Sequence, residues 1–142
     1  MNSCIPYLHF DGQASDAMNA YQQILGGKLQ LLRYSDAPAG AVPMPAGTQP
    51  SDAKRVLHAT LEFEKGTLMA ADAPNSAMAE RMSGVSVSLS YMETSEAQAV
   101  FEKLSVGGVV RMPFGKTFFS DGFGMVKDRF GTPWMVNSLK PI

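Results

Sequence analysis

Residues 85–108 read VSVSLSYMETSEAQAVFEKLSVGG. Val85, Val87, Leu89 and Tyr91 alternate with Ser86, Ser88 and Ser90. A period of two predicts a strand with one apolar face and one small polar face. Ala97, Val100, Phe101 and Leu104 then recur at helical spacing, which predicts a helix over roughly Glu96–Leu104. Ser95-Glu96-Ala97-Gln98 reads as a Ser-x-x-Gln capping box, and Gly107-Gly108 as the stop. The apolar strand face is expected to pack on helices. The serine face is expected to line a cavity, with bulk water as the alternative.

The same order occurs once before. Residues 5–27 read IPYLHFDGQASDAMNAYQQILGG, and AMNAY at 17–21 matches AQAVF at 97–101 at an offset of 80 residues. Ala14, Ala17, Met18, Tyr21 and Leu25 predict a helix over Ala14–Leu25, with Ser15 or Asp16 near its start and Gly26-Gly27 at its end. Further strands are expected at Leu57–Glu64 and Thr67–Ala71 around a Lys65-Gly66 turn. In the first of these Leu57, Ala59, Leu61 and Phe63 share one face, and His58, Thr60, Glu62 and Glu64 the other. Two more are expected at Gly122–Asp128 and Pro133–Ser138, joined by a turn over Asp128–Thr132. The chain therefore reads as a βαβββ unit used twice, over approximately 4–74 and 84–142, an α+β fold. Residues 35–53 carry four prolines, two glycines and no periodicity, so they form either a lid or a disordered excursion. Residues 72–84 link the halves, with one short helical turn expected around Ala77–Met82.

Composition narrows the function classes. The chain has 142 residues, 45% hydrophobic and 18% charged, enough for one globular core. Lys plus Arg is 12 and Asp plus Glu is 13, a net charge of −1, which gives no electrostatic footprint for nucleic acid or an anionic membrane. No apolar stretch approaches the ~18 residues of a membrane helix. The start, MNSCIPYLHFDG, lacks a basic region and a long apolar run, so no secretory signal and a cytoplasmic location are expected. A single cysteine, Cys4, excludes an internal disulfide or a cysteine-cluster metal site. Only two histidines, His9 and His58, are available as imidazole ligands.

Three runs carry a family resemblance: PYLHFDG at 6–12 with AYQQILGGKL at 20–29, LHATLEF with GTLMAAD at 57–72, and KTFFSDGFGMVKDRFGTPWMVN at 116–137. Together they resemble the vicinal oxygen chelate superfamily, which includes glyoxalase I, bleomycin-resistance proteins and extradiol dioxygenases, and within it the PhnB-like branch. The resemblance implies two tandem βαβββ modules forming a curled, cup-shaped mixed sheet with helices on the outer face. It also implies a homodimer and a small-molecule ligand or substrate. Enzymes of the superfamily commonly hold one divalent metal (Fe, Ni, Zn or Mn) through four His, Glu or Gln ligands on the early and late strands of each module.

Transferred to this chain, the ligand positions fall approximately on Ile5, Met69 or Ala70, Ser86, and Met135 or Val136. None of these is a normal ligand, so a metal-free cup is expected. By the same resemblance Tyr7, His9, His58, Thr60 and Glu62 line the cup, with Ser86 and Ser88 from the serine face. Trp134 is either a cup wall or a core tryptophan. His58 and Glu62 lie roughly 13 Å apart along one strand, too far to share an ion. A cup histidine is suited to act as a general base, though a hydrogen-bonded wall residue is the simpler role.

Three functions follow as expectations. The first is a small-molecule-binding protein of the PhnB-like branch. The second is a glyoxalase-type metal-dependent lyase or dioxygenase with a displaced metal. The third is a drug-sequestering protein of the bleomycin-resistance type. Members of the branch are often labelled demethylubiquinone methyltransferases. Here Gly122-Phe123-Gly124 lies within a strand and the glycine pairs follow helices, so no glycine-rich strand-to-helix loop for S-adenosylmethionine is present.

Overall fold

The computed structural model describes residues 3–139. The chain divides into two compact units, Met1–Arg81 and Met82–Ile142. Each is built as strand, helix and three strands, so the duplicated α+β plan holds.

The first unit contains β1 (Tyr7–Phe10), α1 (Ala14–Leu25), β2 (Lys28–Arg33), β3 (Val56–Phe63) and β4 (Gly66–Asp72). The sheet order is β1-β4-β3-β2. β1 and β4 run parallel and the other pairs antiparallel. Leu8 opposes Ala70, and Ala59 opposes both Ala70 and Leu31, so these side chains share one face. α1 packs there through Ala14, Ala17, Met18 and Tyr21, all buried.

One strand differs from expectation. Leu32 pairs with His58 but Arg33 pairs with Val56, leaving Leu57 as the extra residue of a bulge. Val56 is fully buried in the core, and Leu57 is only half-buried instead of joining Ala59 and Leu61.

The start of α1 also has an unexpected cap. No local side chain caps it. Instead the Asp72 carboxylate at the end of β4 accepts the Ala14 N–H at 3.0 Å and the Val56 N–H at 2.8 Å. One buried side chain thus satisfies a helix-end donor and a bulge donor.

The second unit contains β5 (Val87–Tyr91), α2 (Thr94–Ser105), β6 (Val109–Gly115), β7 (Gly122–Lys127) and β8 (Pro133–Ser138), in the order β5-β8-β7-β6. β5 begins at Val87, so Val85 lies outside it and is exposed. The expected capping box is absent, because α2 begins at Thr94 and Ser95 is already inside the first turn. Thr94 Oγ1 donates instead to Ser138 Oγ at 3.1 Å, and Ser138 closes β8 as Asp72 closes β4.

Both glycine pairs do two jobs. Gly26 and Gly107 take positive φ (77° and 72°) just past their helices. A Cβ on Gly27 would collide with the Glu62 carbonyl, and one on Gly108 would sit 2.5 Å from that of Lys127. Each second glycine thus lets the chain pass hard against its neighbouring strand.

Residues 35–53 form a closed loop. Short 3-10 turns occupy Tyr34–Asp36 and Pro50–Lys54, and the Tyr34 N–H donates to the Arg55 carbonyl at 3.0 Å. In the link between the halves the helical turn spans Ser76–Met78, shorter and earlier than expected. No helix among the described residues is long and apolar enough to cross a membrane.

Candidate functional site

The face of the first sheet away from α1 concentrates polar and aromatic groups. Tyr7 opposes Met69, His9 opposes Ala71, Thr60 opposes both Met69 and Gln30, and His58 opposes Leu32. Tyr7 Oη lies 3.0 Å from His58 Nδ1, and His58 Nε2 lies 2.9 Å from Thr60 Oγ1. The His9 and Tyr7 rings lie 5.2 Å apart between centroids, tilted by 31°, and Tyr7 and His58 lie 5.7 Å apart, tilted by 42°. Four of the residues singled out from the sequence therefore meet: Tyr7, His9, His58 and Thr60. Glu62 continues the same face two residues beyond Thr60, opposite Lys28 and Thr67, and does not join the chain of hydrogen bonds.

The chemistry of this chain is specific. A neutral imidazole has one N–H and one lone pair, so one flanking hydroxyl must donate to it while the other accepts. A protonated imidazole donates to both, which frees the Tyr7 O–H to point elsewhere. Burial pushes the Tyr7 phenol above its ordinary value, which keeps it a proton donor. Tyr7 is still 42% exposed.

In the second unit Ser88 opposes Met135, Ser90 opposes Asn137, Met125 opposes Met135 and Phe123 opposes Asn137. These side chains share the face away from α2. Ser86 precedes β5. Trp134 opposes Val87 and Val126 on the other face, is fully buried, and donates its indole N–H to Asp128 Oδ2 at 2.8 Å. Of the two readings of Trp134, the structure gives the core residue. Asn137, a polar residue of the 116–137 run, has its Oδ1 buried with no hydrogen-bond partner among the described residues.

The register also corrects the transferred metal positions. Ile5 and Ser86 precede their strands, and Ala70 and Val136 face the helices. The cross-strand pairs on the open faces are Tyr7–Met69 and Ser88–Met135. Phenol, thioether and hydroxyl groups are poor donors for a divalent cation of this kind. Among the described residues no group of three or more His, Cys, Asp and Glu side chains is placed to hold a metal ion. The donor set does not fit the four-ligand centre common in the superfamily.

Comparison with known proteins places the chain. Residues 2–137 match the family model described as 3-demethylubiquinone-9 3-methyltransferase. Protein YjdN of Escherichia coli is 34% identical over 140 residues, covering 95% of this chain and 94% of YjdN. Protein PA1353 from Pseudomonas aeruginosa superposes with a TM-score of 0.82 at 37% identity, over 99% of this chain and all of that one. A PhnB protein from Bacillus cereus superposes with a TM-score of 0.73 at 23% identity, over 96% and 99% of the two chains. The fold is shared with a glyoxalase/bleomycin resistance/dioxygenase domain from Frankia (TM-score 0.64, 12% identity, 99% and 98% covered). With its full-length match and its paired βαβββ units, the chain belongs to the PhnB-like family, on the fold of the vicinal oxygen chelate superfamily.

Proposed function

We propose that the protein binds a small molecule through hydroxyl, carbonyl or carboxylate oxygens at the Tyr7–His58–Thr60 face, without a coordinated metal. The Tyr7–His58–Thr60 chain carries this reading. It is a preorganised set of donors and acceptors on a partly exposed face, with the His9 ring against Tyr7 beside it. Met69 and Leu32 supply apolar contact next to it.

The ligand's oxygen meets the Tyr7 hydroxyl, and His58 sets whether that hydroxyl offers its proton or its lone pair. The same arrangement suits His58 to move a proton, with Thr60 fixing the ring. Methyl transfer, named in the family description, has no specific support in these residues. The strand-to-helix turns read Asp11-Gly12-Gln13 and Met92-Glu93, without the glycine-rich cradle of a nucleotide-type cofactor.

The test is a binding screen of small hydroxy-ketones and carboxylates, observed on the imidazole resonances. The chain has two histidines, so His9→Ala assigns both. A binding compound is expected to shift His58, and His58→Ala is expected to weaken it by tenfold or more. Unchanged affinity in His58→Ala would defeat the reading. Self-association as a homodimer belongs to the same proposal. The exposed Val109, Val110, Met112 and Phe118 support it, and light scattering coupled to gel filtration tests it.

A further inference from the structure

We propose that the open face of the second sheet binds a soft monovalent cation of the Cu(I) class through a row of methionine thioethers. The chain has ten methionines, and the register sets three of them side by side. Met135 on β8 opposes Met125 on β7, and Met125 opposes Met112 on β6, with Ser88 on β5 next to Met135. Directly opposed residues on one sheet face have Cβ atoms about 4.5–5.5 Å apart. Three rotatable bonds then let each thioether turn toward a point above Met125. These methionines do not fill the core. The core face of this sheet is the one that carries Val126, Trp134 and Val136 against α2, whereas Met112 is 43% exposed and Met125 and Met135 are half-buried. The register also shifts on both sides of Met112, between Val110 and Met112 and between Met112 and Gly115. Such shifts re-aim single side chains, and here they bring Met112 opposite Met125.

The donors choose the ion. Thioethers are neutral, polarisable sulfurs that suit Cu(I), whereas magnesium, calcium and manganese need carboxylate and carbonyl oxygens. Neither this row nor the next one, Ser90–Asn137–Phe123–Gly115, holds a carboxylate. On the other side of the row Lys127 opposes Val109 and Pro133, and Arg111 is exposed beside Met112. These two cations repel a divalent ion about twice as strongly as a monovalent one, because Coulomb energy scales with charge. A hard divalent ion is thus offered neither a counter-charge nor an oxygen cage. A soft monovalent ion is offered electron pairs from three sulfurs. It binds and leaves in the same oxidation state, with no electron transferred. This site shares no residue with the Tyr7–His58–Thr60 face and stands whether or not that face binds a ligand.

The experiment uses the full chain carrying Cys4→Ser, because the exposed Cys4 thiol is itself a soft ligand. Its methionine methyl groups are ¹³C-labelled and assigned by single Met→Leu variants. Silver nitrate is titrated in chloride-free buffer, Ag(I) being a redox-inert substitute for Cu(I). The methyls of Met112, Met125 and Met135 are expected to shift together and saturate at one ion per chain, with Met18 and Met78 unmoved. Zn(II) and Mn(II) at the same concentration are expected to shift none of the three. Met125→Leu, which nearly conserves volume, is expected to weaken Ag(I) binding by tenfold or more. If that variant unfolds, Met112→Leu on the exposed edge strand gives the same reading. Cu(I), kept reduced under anaerobic conditions and competed against a bathocuproine chelator, is expected to show the same loss. Shifts that leave Met125 unmoved, or that spread over all the methionines without saturating, would overturn the proposal. So would an ion that perturbs only the His9 and His58 imidazoles, equal response to Zn(II), or unchanged affinity in a folded Met→Leu variant.

Discussion

Asp72 sits on the core face of its sheet, 3% exposed, and its carboxylate holds two backbone N–H groups from different elements. Removing it orphans both donors in the interior. Each buried unsatisfied group costs about 1–3 kcal/mol, so Asp72→Ala should lose about 3 kcal/mol of stability in urea denaturation. Asp72→Asn should lose less, since its amide oxygen still accepts one N–H while its NH₂ faces the other. Equal losses in the two variants would show that packing, not acceptor count, sets the cost. Gly124 makes a contrasting case, of space rather than hydrogen bonding. A Cβ there would lie 2.6 Å from the Phe101 ring, and that ring is packed on Phe114 at 5.6 Å between centroids. Gly124→Ala should therefore destabilise by about 1–3 kcal/mol, the usual cost of overpacking. Gly26→Ala has no steric neighbour and should cost only its backbone strain at positive φ.

Arg55 shows how one side chain organises several loop segments. It donates to Asp52 (2.9 Å), Asp11 (2.8 Å), the Ala73 carbonyl (3.2 Å) and Ser76 (2.8 Å). It thereby ties the end of the 34–53 loop to the turn after β1 and to the segment after β4. Hydrogen bonds from Arg55 and Ser76 hold the Asp11 carboxyl below the usual carboxylate range. The Gln49 N–H, with Arg55, does the same for Asp52. Carboxyls depressed in the folded state stabilise it fully above their unfolded value, about 3.9, and that stabilisation is lost as pH falls through the folded values. The urea midpoint of the wild type should thus fall below about pH 4. In Arg55→Met the midpoint should start lower and fall less steeply, and the 34–53 loop should be cut sooner by protease at neutral pH. An unchanged acid slope would mean that the arginine does not set these carboxyls. The contrast between such contacts and the elements they join explains what the sequence made legible. α1 was readable over Ala14–Leu25 because its stripe is local, and β8 because Pro133 fits only at a strand start or a bulge. The bulge at Leu57 and the Asp72 cap were not, because each depends on a partner 16 to 58 residues away. The capping box at Ser95 was misread because Thr94 had a better partner in Ser138.

At the scale of the whole chain, the duplication was legible because the same strand–helix–glycine order occurs twice. The site was legible only by face. Alternation placed Tyr7 and His9 on one side of β1, and His58 and Thr60 on one side of β3. That Tyr7 and His58, 51 residues apart, lie within hydrogen-bond distance depends on a register that alternation does not supply. The same register decides the metal question, where the donors of the entire chain must be counted. A divalent ion leaves water only when anionic or imidazole ligands replace its hydration shell. The open-face pairs offer a phenol, a hydroxyl and two thioethers, and His58 already spends both ring nitrogens on Tyr7 and Thr60. Protein purified without a metal-binding tag, incubated with Fe, Ni, Zn or Mn and dialysed, should retain far less than one ion per chain by elemental analysis. Its urea midpoint should also be unmoved by each ion, since a ligand that binds only the native state must raise it. Retention of close to one ion per chain would overturn this count of donors, and His9, His58 and Glu62 would be the first positions to replace one at a time. Loss of the ion in one variant and its retention in the others would identify the ligand.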